Sequence, residues 1–313
     1  MDNVSANYTT IPIATWQPAA MALTVIFILG LVCNAAVTTV FVFNKDLWSS
    51  FNVYLCNLLV ANLIYFFLGA PFDIIEEVFP HWWLGQSVCT LYLYAYWTIT
   101  PVQILTHCSI AVNRIWALYR PISYRTRHTI ATAIKICVFL WLFAHLIGLP
   151  GVLVDAVHFQ QKNMCVVDTT DSGFLQIWQL LINVIGFLCI FTILAAFPLV
   201  LGKMQKPRRV SISMRGKLQH SVSQTFADHS QRQTVLLLVL TVSVFVLWSP
   251  LMLYEALRSF LAMDFPTVEA VFMVMFNAQS LLDPILLVLT LKSVRGAALA
   301  MFYPRKWLPY FFN

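Results

Sequence analysis

The stretch HCSIAVNRIWALYRPISYR, residues 107–125, carries no formal charge before Arg114. An arginine held in hydrocarbon costs about 2.5–3.5 kcal/mol at the centre of a membrane helix. Arg114 is therefore expected either to lie near a water interface or to have a function inside a helix bundle. The sequence on both sides of this stretch decides between these positions, and it also decides the fold.

The composition is far from that of a soluble protein. Of the 313 residues, 60% are hydrophobic and 10% are charged, whereas soluble domains carry about 25% charged residues. Three stretches longer than the roughly 20 residues needed to cross a bilayer contain no formal charge, namely 16–43, 174–202 and 234–254. The chain is therefore predicted to be an integral membrane protein. Its first apolar stretch is too long for a cleaved signal peptide and is expected to remain as an anchor.

Apolar runs separated by charged breaks predict seven membrane-spanning helices. These spans cover residues 18–43, 51–77, 87–119, 131–152, 174–203, 231–259 and 268–291. The predicted fold class is an all-α membrane protein, a seven-transmembrane helix bundle over residues 18–291. Residues 1–17 are expected to form an extracellular tail, and residues 292–313 a short interfacial helix with a cytoplasmic tail. No internal repeat is visible, in contrast to the two-fold symmetry common in transporters.

The charged residues divide between the two sides of this predicted bundle. When successive loops are placed alternately on two sides, 17 of the 19 Lys and Arg residues share one side with two acids, and ten acids lie on the other. Basic loops favour the cytoplasm, so the amino terminus is expected outside the cell, in a multi-pass protein of the plasma membrane. Asn3 and Asn7 begin glycosylation sequons in the outer tail. The net charge of +6 then requires no nucleic-acid partner.

Six short motifs occur in order along the predicted spans. They are GLVCN in span one, NLLVANL in span two, WWLGQSVC before span three, NRIWALYRP at its end, LWSP in span six and QSLLDPILL in span seven. Together they resemble the marks of the rhodopsin-like class A of G-protein-coupled receptors, as does the separation of 25 residues between Cys89 and Arg114. The chain is identified as a divergent member of that class. The resemblance implies a disulfide between Cys89 and Cys165.

The resemblance also assigns Arg114 and its neighbour Asn113 to G-protein coupling. In the family, the matching arginine contacts the terminal helix of the G protein after span six swings outward. A planar cation with several donors suits the capping of a helix end. Asn113 stands where the family has an aspartate, and Ser230 where it often has an acid at the base of span six, although Asp228 lies nearby. Weaker restraint of the arginine predicts elevated basal activity.

The resemblance also implies a polar switch network. Asn62 and Asp283 reverse the aspartate and asparagine that the family places in spans two and seven, so one acid still faces one amide. Asp283 is expected to bond Asn62 and Asn34; the alternative is a protonated, structurally satisfied carboxyl. The amide at position 62 puts the family's sodium binding in doubt. The switch residues are accordingly Asn34, Asn62, Trp248, Pro250, Asp283 and Pro284. Pro250 must interrupt a backbone hydrogen bond of span six, with Trp248 below it at the pocket floor.

The resemblance further implies a ligand pocket. Its lining is expected to comprise Asp73, Tyr96, Trp97, Thr100, Met252, Glu255, Met273, Phe276 and Asn277. Asn277 replaces the lysine of retinal receptors and Tyr96 the aspartate of amine receptors, so both ligand classes are disfavoured. The predicted mouth is acidic, with Asp73, Glu76, Glu77, Asp155, Asp168, Asp171, Asp264 and Glu269. Such a mouth attracts cations, which favours a basic peptide or a cationic small molecule, with solvated acidic loops as the alternative.

Other functions are weighed against a receptor. The sequence has no Ser-His-Asp set, zinc-ligand spacing or phosphate loop, so neither an enzyme nor a metal or cofactor is expected. His107 and His145 are interpreted as isolated core residues. A seven-helix channel or transporter is the alternative, and it predicts several facing polar residues at mid-depth. The expected partners are a heterotrimeric G protein, an extracellular ligand, membrane lipids and arrestin, the last through the loop between spans five and six.

Overall fold

The computed structural model describes residues 13–160, 164–167, 172–205, 217–261 and 265–302, with the side chains of all these except 203–205, 217–233 and 259–261. The predicted glycosylation sites Asn3 and Asn7 lie outside the described residues. The same holds for the side chains of Asp228 and Ser230 and for the loop expected to engage arrestin.

Seven helical spans form a bundle, and their bounds follow the apolar runs of the sequence except in span six, whose helix begins 14 residues before the predicted span. The spans are Pro18–Phe43, Ser50–Leu68 continued by Ala70–Val78, Gln86–Tyr94 continued to Tyr119, Ile130–Val154, Gly173–Gln205, Lys217–Leu261 and Pro266–Thr290. Short helices follow spans three and seven, at Pro121–Arg127 and Lys292–Phe302. The described part of the chain contains no strand. The predicted all-α seven-helix fold is confirmed.

Six of the spans are individually long and apolar enough to cross a membrane, and span three is the exception. Span three is divided by a π-helical turn, Ala95–Ile99. It also turns Gln103, His107, Asn113 and Arg114 into the bundle, where each is at most 4% exposed. These side chains lower the hydropathy of the span without presenting charge to lipid. The chain is therefore a multi-pass membrane protein of seven spans.

Span three occupies the centre of the bundle. It packs against spans two, four, five and six, while span seven closes the ring by packing against spans six and one. The main apolar core runs along these contacts and includes Leu55, Leu58, Ile110 and Leu236. We call the two ends of the bundle the disulfide end, which holds Cys89, and the arginine end, which holds Arg114.

The π-helical turn of span three accounts for Pro101, which follows it. Proline has no amide hydrogen to donate to the carbonyl four residues earlier, and here that carbonyl belongs to Trp97. The Trp97 oxygen faces Gly148 of span four so closely that a Cβ at position 148 would collide with it. A glycine is therefore required where the two backbones approach.

The disulfide end is closed by a bonded loop. Cys89 and Cys165 form a disulfide with their Cα atoms 5.5 Å apart, as the resemblance implied. Gly85 adopts a φ of 86°, a left-handed conformation that favours glycine. Its carbonyl accepts a hydrogen bond of 2.9 Å from the indole nitrogen of Trp82, whose ring stacks on Tyr92 at 5.9 Å. The disulfide loop is thereby attached to the start of span three.

Candidate ligand pocket and signalling network

A cavity lies between spans three to seven in the half of the bundle nearer the disulfide end. Its lining residues are Tyr96, Trp97, Thr100, Pro101, Ile104, Leu105, Ile147, Ile182, Asn183, Ile185, Gly186, Trp248, Leu251, Met252, Glu255 and Phe276. Most of these side chains are apolar, and Glu255 is the only acid among them. Enclosed, mainly apolar cavities with a few polar groups are typical of ligand sites.

Six of the nine predicted pocket residues line this cavity. They are Tyr96, Trp97, Thr100, Met252, Glu255 and Phe276. The structure places the other three elsewhere: Asp73 and Asn277 are buried, and Met273 is partly buried against the core. The sequence reasoning missed the walls from spans four and five, such as Ile147 and Gly186. Their uniform apolarity gave no signal to separate a cavity wall from a lipid-facing side chain.

Aromatic rings form the floor of the cavity. Trp248 stacks on Phe276 with ring centroids 5.1 Å apart, and its indole nitrogen donates to the Phe276 carbonyl at 3.2 Å. Trp248 is 1% exposed and lies two residues before Pro250, which is inside span six. The floor therefore joins spans six and seven. The sequence analysis also expected Trp248 at the pocket floor.

The rim of the cavity carries the charged groups. Glu255 lies 4.0 Å from Arg258, and Arg258 lies 2.8 Å from Glu269 of span seven. Two carboxyl groups thus share one guanidinium at this part of the rim. The site can accept an apolar or aromatic group in the cavity and a cation at its rim.

Two acids expected at an open mouth are instead buried. Asp73 is 2% exposed and Asp155 is 0% exposed. Asp73 accepts hydrogen bonds of 2.9 Å from the hydroxyls of Tyr65 and Tyr92, and the Tyr92 oxygen also lies 2.9 Å from a carboxyl oxygen of Glu76. Buried carboxylates need such donors. The acidic surface is consequently smaller than the sequence suggested, and Asp73 does not line the cavity.

A polar network fills the middle of the bundle around Asp283. Asn62 donates to the Asp283 carboxylate at 3.0 Å and to Asn34 at 3.2 Å. Asn34 donates to the Ser280 carbonyl at 2.8 Å. The predicted direct bond between Asp283 and Asn34 is absent from the described contacts, because Asn62 lies between them. Spans one, two and seven are linked through these amides, and Pro284 is buried beside them.

Three members of the network were missed from the sequence. Gln103 donates to Asn62 at 2.9 Å, Gln279 donates to Asp283 at 2.7 Å, and His107 lies 3.4 Å from Asp283. The interpretation of His107 as an isolated core residue is therefore wrong. Their spacing, with Gln103 and His107 four residues apart on one helix face, was the available signal.

His145 is not isolated either. Its ring lies 2.8 Å from the Tyr94 hydroxyl and 2.8 Å from the Trp141 carbonyl. These contacts join spans three and four, so His145 has a structural explanation that does not involve the Asp283 network.

Arg114 is enclosed at the arginine end rather than exposed to water. It is 4% exposed, so of the two expected positions, a water interface and the inside of the bundle, the structure shows the second. It donates to the Asn113 side-chain oxygen at 3.1 Å and to the Tyr124 hydroxyl at 3.5 Å. Its guanidinium carbon lies 3.7 Å from the ring centroid of Phe51, a cation–π contact. Neutral groups therefore supply these described contacts.

The helix Pro121–Arg127 and the following His128 complete this enclosure. Tyr124 donates to Asn113 at 3.1 Å and stacks on His128 at 4.6 Å. His128 also lies 2.9 Å from the Asn113 amide and 3.1 Å from the Tyr54 hydroxyl. Burial lowers the pKa of His128 from its usual 6.5, and the nearby charge of Arg114 lowers it further. These surroundings therefore favour the neutral form of the imidazole that meets Asn113 and Tyr54.

The chain belongs to the rhodopsin family of receptors with seven transmembrane segments. The profile of the family described as "7 transmembrane receptor (rhodopsin family)" matches residues 33–287. This confirms the class indicated by the sequence motifs, which is a class of receptors rather than enzymes. The family and the apolar helices together define a multi-pass protein of the plasma membrane.

Several peptide receptors are similar in sequence. The cholecystokinin receptor type A of Rattus norvegicus is 28% identical over 185 residues, which cover 56% of this chain and 42% of that receptor. The human receptor of the same name is 28% identical over 56% of the chain and 43% of its own length. The pyroglutamylated RF-amide peptide receptor of Rattus norvegicus is 24% identical over 74% of the chain and 55% of that receptor. The chain spans about half the length of the curated relatives it matches.

Proposed function

We propose that this chain is a receptor that binds an extracellular ligand in the cavity and activates a heterotrimeric G protein by outward movement of span six. The observation that carries the proposal is the position of Trp248. It forms the cavity floor and belongs to the same helix as Pro250, whose missing amide hydrogen weakens the helix beside it. A ligand that changes the packing of Trp248 would act directly on span six. The disulfide end then faces outward, with the amino terminus outside the cell.

The ligand that the site fits is a basic peptide or a cationic small molecule with an apolar group. The aromatic cavity suits a phenyl or indole group, and the carboxyl groups of Glu255 and Glu269 at the rim suit a guanidinium or ammonium group. The name of one relative specifies an RF-amide peptide, in which R and F are the letters for arginine and phenylalanine. A cation beside an aromatic ring is the same pair of groups that the rim and cavity would accept.

The arginine end is proposed to receive the G protein. Arg114 would leave Asn113, Tyr124 and Phe51 when span six moves, and it would then cap the end of a helix docked between the spans. Membrane lipids would surround the apolar side chains that the spans expose, such as Leu146 and Phe191. Arrestin would bind the serines of the loop between spans five and six.

Nucleotide exchange on a purified G protein tests this proposal. Full-length receptor in lipid nanodiscs is expected to accelerate exchange, and Arg114→Gln is expected to remove most of that acceleration. Lys45→Gln is the matched control, because Lys45 is an exposed cation at the same end, outside the enclosure of Arg114. Exchange that stays equal in Arg114→Gln and wild type, with equal amounts of folded receptor, contradicts the proposal.

A channel or transporter is the second candidate, and one observation favours it. A channel or transporter is expected to have several polar residues that face one another in the middle of the bundle. The structure contains such a group, which consists of Asn62, Gln103, His107, Gln279 and Asp283. These groups bond to one another, however, and each is at most 3% exposed. Such packing suits a switch better than a hydrated path. Ion flux into liposomes that contain the purified chain, above the flux of empty liposomes, would support the second candidate.

A further inference from the structure

The side-chain amide of Asn113 has a fixed orientation at the arginine end. Its oxygen accepts hydrogen bonds of 3.1 Å from the guanidinium of Arg114 and from the hydroxyl of Tyr124. An amide nitrogen cannot accept from these two donors. The amide nitrogen of Asn113 must therefore point the other way, where it lies 2.9 Å from the Nε2 atom of His128.

This orientation decides which nitrogen of His128 carries the hydrogen. An amide nitrogen only donates, so the Nε2 atom that faces Asn113 must be an acceptor. The Tyr54 hydroxyl, 3.1 Å from the same Nε2 atom, is a second donor to it. The other ring nitrogen, Nδ1, is buried with no hydrogen-bond partner in the described part of the chain, so it favours neither tautomer. The neutral ring consequently carries its hydrogen on Nδ1.

The ionisable groups around His128 come from spans two, three and four and from the short helix after span three. Tyr54, Arg114 and Tyr124 face the ring, and Cys137 of span four lies near Tyr54. Burial and the charge of Arg114 both lower the pKa of His128. None of the ion pairs between described residues includes His128. The surroundings therefore contain a cation and no described acid that would favour an imidazolium.

A proton on Nε2 is incompatible with the contacts of Asn113. It would place two N–H groups opposite each other across the 2.9 Å between His128 and Asn113. Turning the amide over removes this conflict, because the amide oxygen then accepts from the imidazolium. The same turn directs the amide nitrogen at Arg114, whose guanidinium has no acceptor. Asparagine has a single acceptor oxygen, so it can serve His128 or Arg114 but not both.

We propose that His128 is a positioning residue for Arg114, which it holds by fixing the orientation of the Asn113 amide, and that a proton on His128 releases Arg114. The proposal rests on the receptor function proposed above, in which Arg114 leaves Asn113 when the G protein binds. Neutral His128 then stabilises the inactive conformation. Loss of its acceptor nitrogen, by protonation or by substitution, raises basal nucleotide exchange.

Linkage gives the direction of the pH effect. The conformation that holds Arg114 binds a proton on His128 less tightly than one in which the ring has left Asn113. A fall in pH therefore shifts the population toward the released conformation. With an ordinary pKa of about 6.5 in the released conformation, the shift between pH 7.5 and 6.0 amounts to up to about fourfold.

Nitrogen-15 NMR of the full-length receptor, with labelled histidine and in lipid nanodiscs, tests the tautomer. His128→Gln identifies the signals of His128 by their disappearance. We expect a hydrogen on Nδ1 and none on Nε2 at pH 7.5. A hydrogen on Nε2 at that pH overturns the proposal, whatever the signalling readouts show.

Basal nucleotide exchange on a purified G protein, at pH 7.5 and 6.0, is the second readout. The wild-type rate should rise on acidification by up to about fourfold relative to His128→Gln, whose amide oxygen keeps an acceptor but takes up no proton in this range. His128→Leu has no acceptor and should have a raised rate at both pH values. His158→Leu is the matched control, because His158 is an exposed histidine away from Arg114, and it should behave as the wild type does.

The ratio of the rates at the two pH values is decisive. An equal ratio in wild type and His128→Gln overturns the proposal, and so does a rate of His128→Leu equal to that of His128→Gln with equal amounts of folded receptor. Should His128→Leu fail to fold, the ratios of wild type and His128→Gln decide alone. A hydrogen on Nδ1, together with no exchange in any variant, would support the positioning of Arg114 and refute the receptor function instead.

Discussion

At the scale of single residues, the buried polar side chains of this protein occur in bonded groups. Asn62 contacts Asn34, Gln103 and Asp283, so each of its amide atoms has a partner. Removing one partner of a buried hydrogen bond costs about 1–3 kcal/mol, because the other group keeps its desolvation penalty. Substitutions in such a group should therefore have effects that depend on one another.

Exchange of the acid and the amide tests that dependence. Asn62→Asp places a second carboxylate about 3 Å from Asp283, where two like charges cannot both ionise, and should lower the free energy of unfolding by about 1–3 kcal/mol. The double variant Asn62→Asp with Asp283→Asn restores one acid and one amide. It should recover most of the loss in a thermal unfolding assay. Additive losses in the double variant would show that the two positions do not interact.

His128 provides a pH dependence of stability. Burial holds its pKa below 6.5, so the unfolded chain takes up the proton before the folded one does. The stabilising contribution is complete above pH 6.5 and is lost as the pH falls below that value. His128→Gln should lack this loss between about pH 6.5 and 5. The exposed His158 supplies a control, and His158→Gln with the same altered profile would contradict the assignment to His128.

At the scale of helices, the approach of spans three and four depends on one glycine. A Cβ at position 148 would meet the Trp97 carbonyl oxygen, which belongs to the backbone and cannot turn away. Gly148→Ala should therefore lower the free energy of unfolding by about 1–3 kcal/mol, as overpacking of a close contact does.

Two other glycines make this prediction specific. A Cβ at Gly186 would meet only the terminal methyl of Met252, a flexible side chain that can move, and a Cβ at Gly202 would meet nothing within 4 Å. Gly186→Ala should cost less than Gly148→Ala, and Gly202→Ala should be neutral or stabilising by up to about 1 kcal/mol. Equal unfolding midpoints for all three variants would refute the role of the carbonyl contact.

The sequence was informative about helices and less so about their contacts. Charge-free runs gave the spans because a bilayer requires a fixed apolar length, and the motifs gave the family and the disulfide. The π-helical turn at Ala95–Ile99 was not predictable, because it depends on the packing of Pro101 and Gly148 across two spans. The same limit explains Arg114, since its burial and its partners on other helices are not encoded in the periodicity of one helix.

At the scale of the whole molecule, activity depends on the balance between conformations. The described contacts of Arg114 with Asn113, Tyr124 and Phe51 stabilise one conformation without a formal ion pair among them. A hydrogen bond between charged groups contributes about 1.5–3 kcal/mol, which corresponds to at least a several-fold change in population. The identity of residue 113 should therefore set the basal output.

Asn113→Asp is expected to lower basal activity several-fold. A carboxylate at this position would pair with the guanidinium at the 3.1 Å distance of the present hydrogen bond. Basal second-messenger output in transfected cells, normalised to surface expression, measures the change. Wild-type output no higher than that of mock-transfected cells would refute elevated basal activity itself.

The Trp97 carbonyl receives no hydrogen bond from Pro101 and lies against Gly148 instead. This contact has a consequence for how ligand preference would diverge among homologues. Trp97 and Pro101 form part of the cavity wall, whereas Gly148 contacts that wall from behind and does not line the cavity. Any larger residue at position 148 would push the wall inward and reshape the cavity. Selectivity would then change through a position that no bound molecule ever touches.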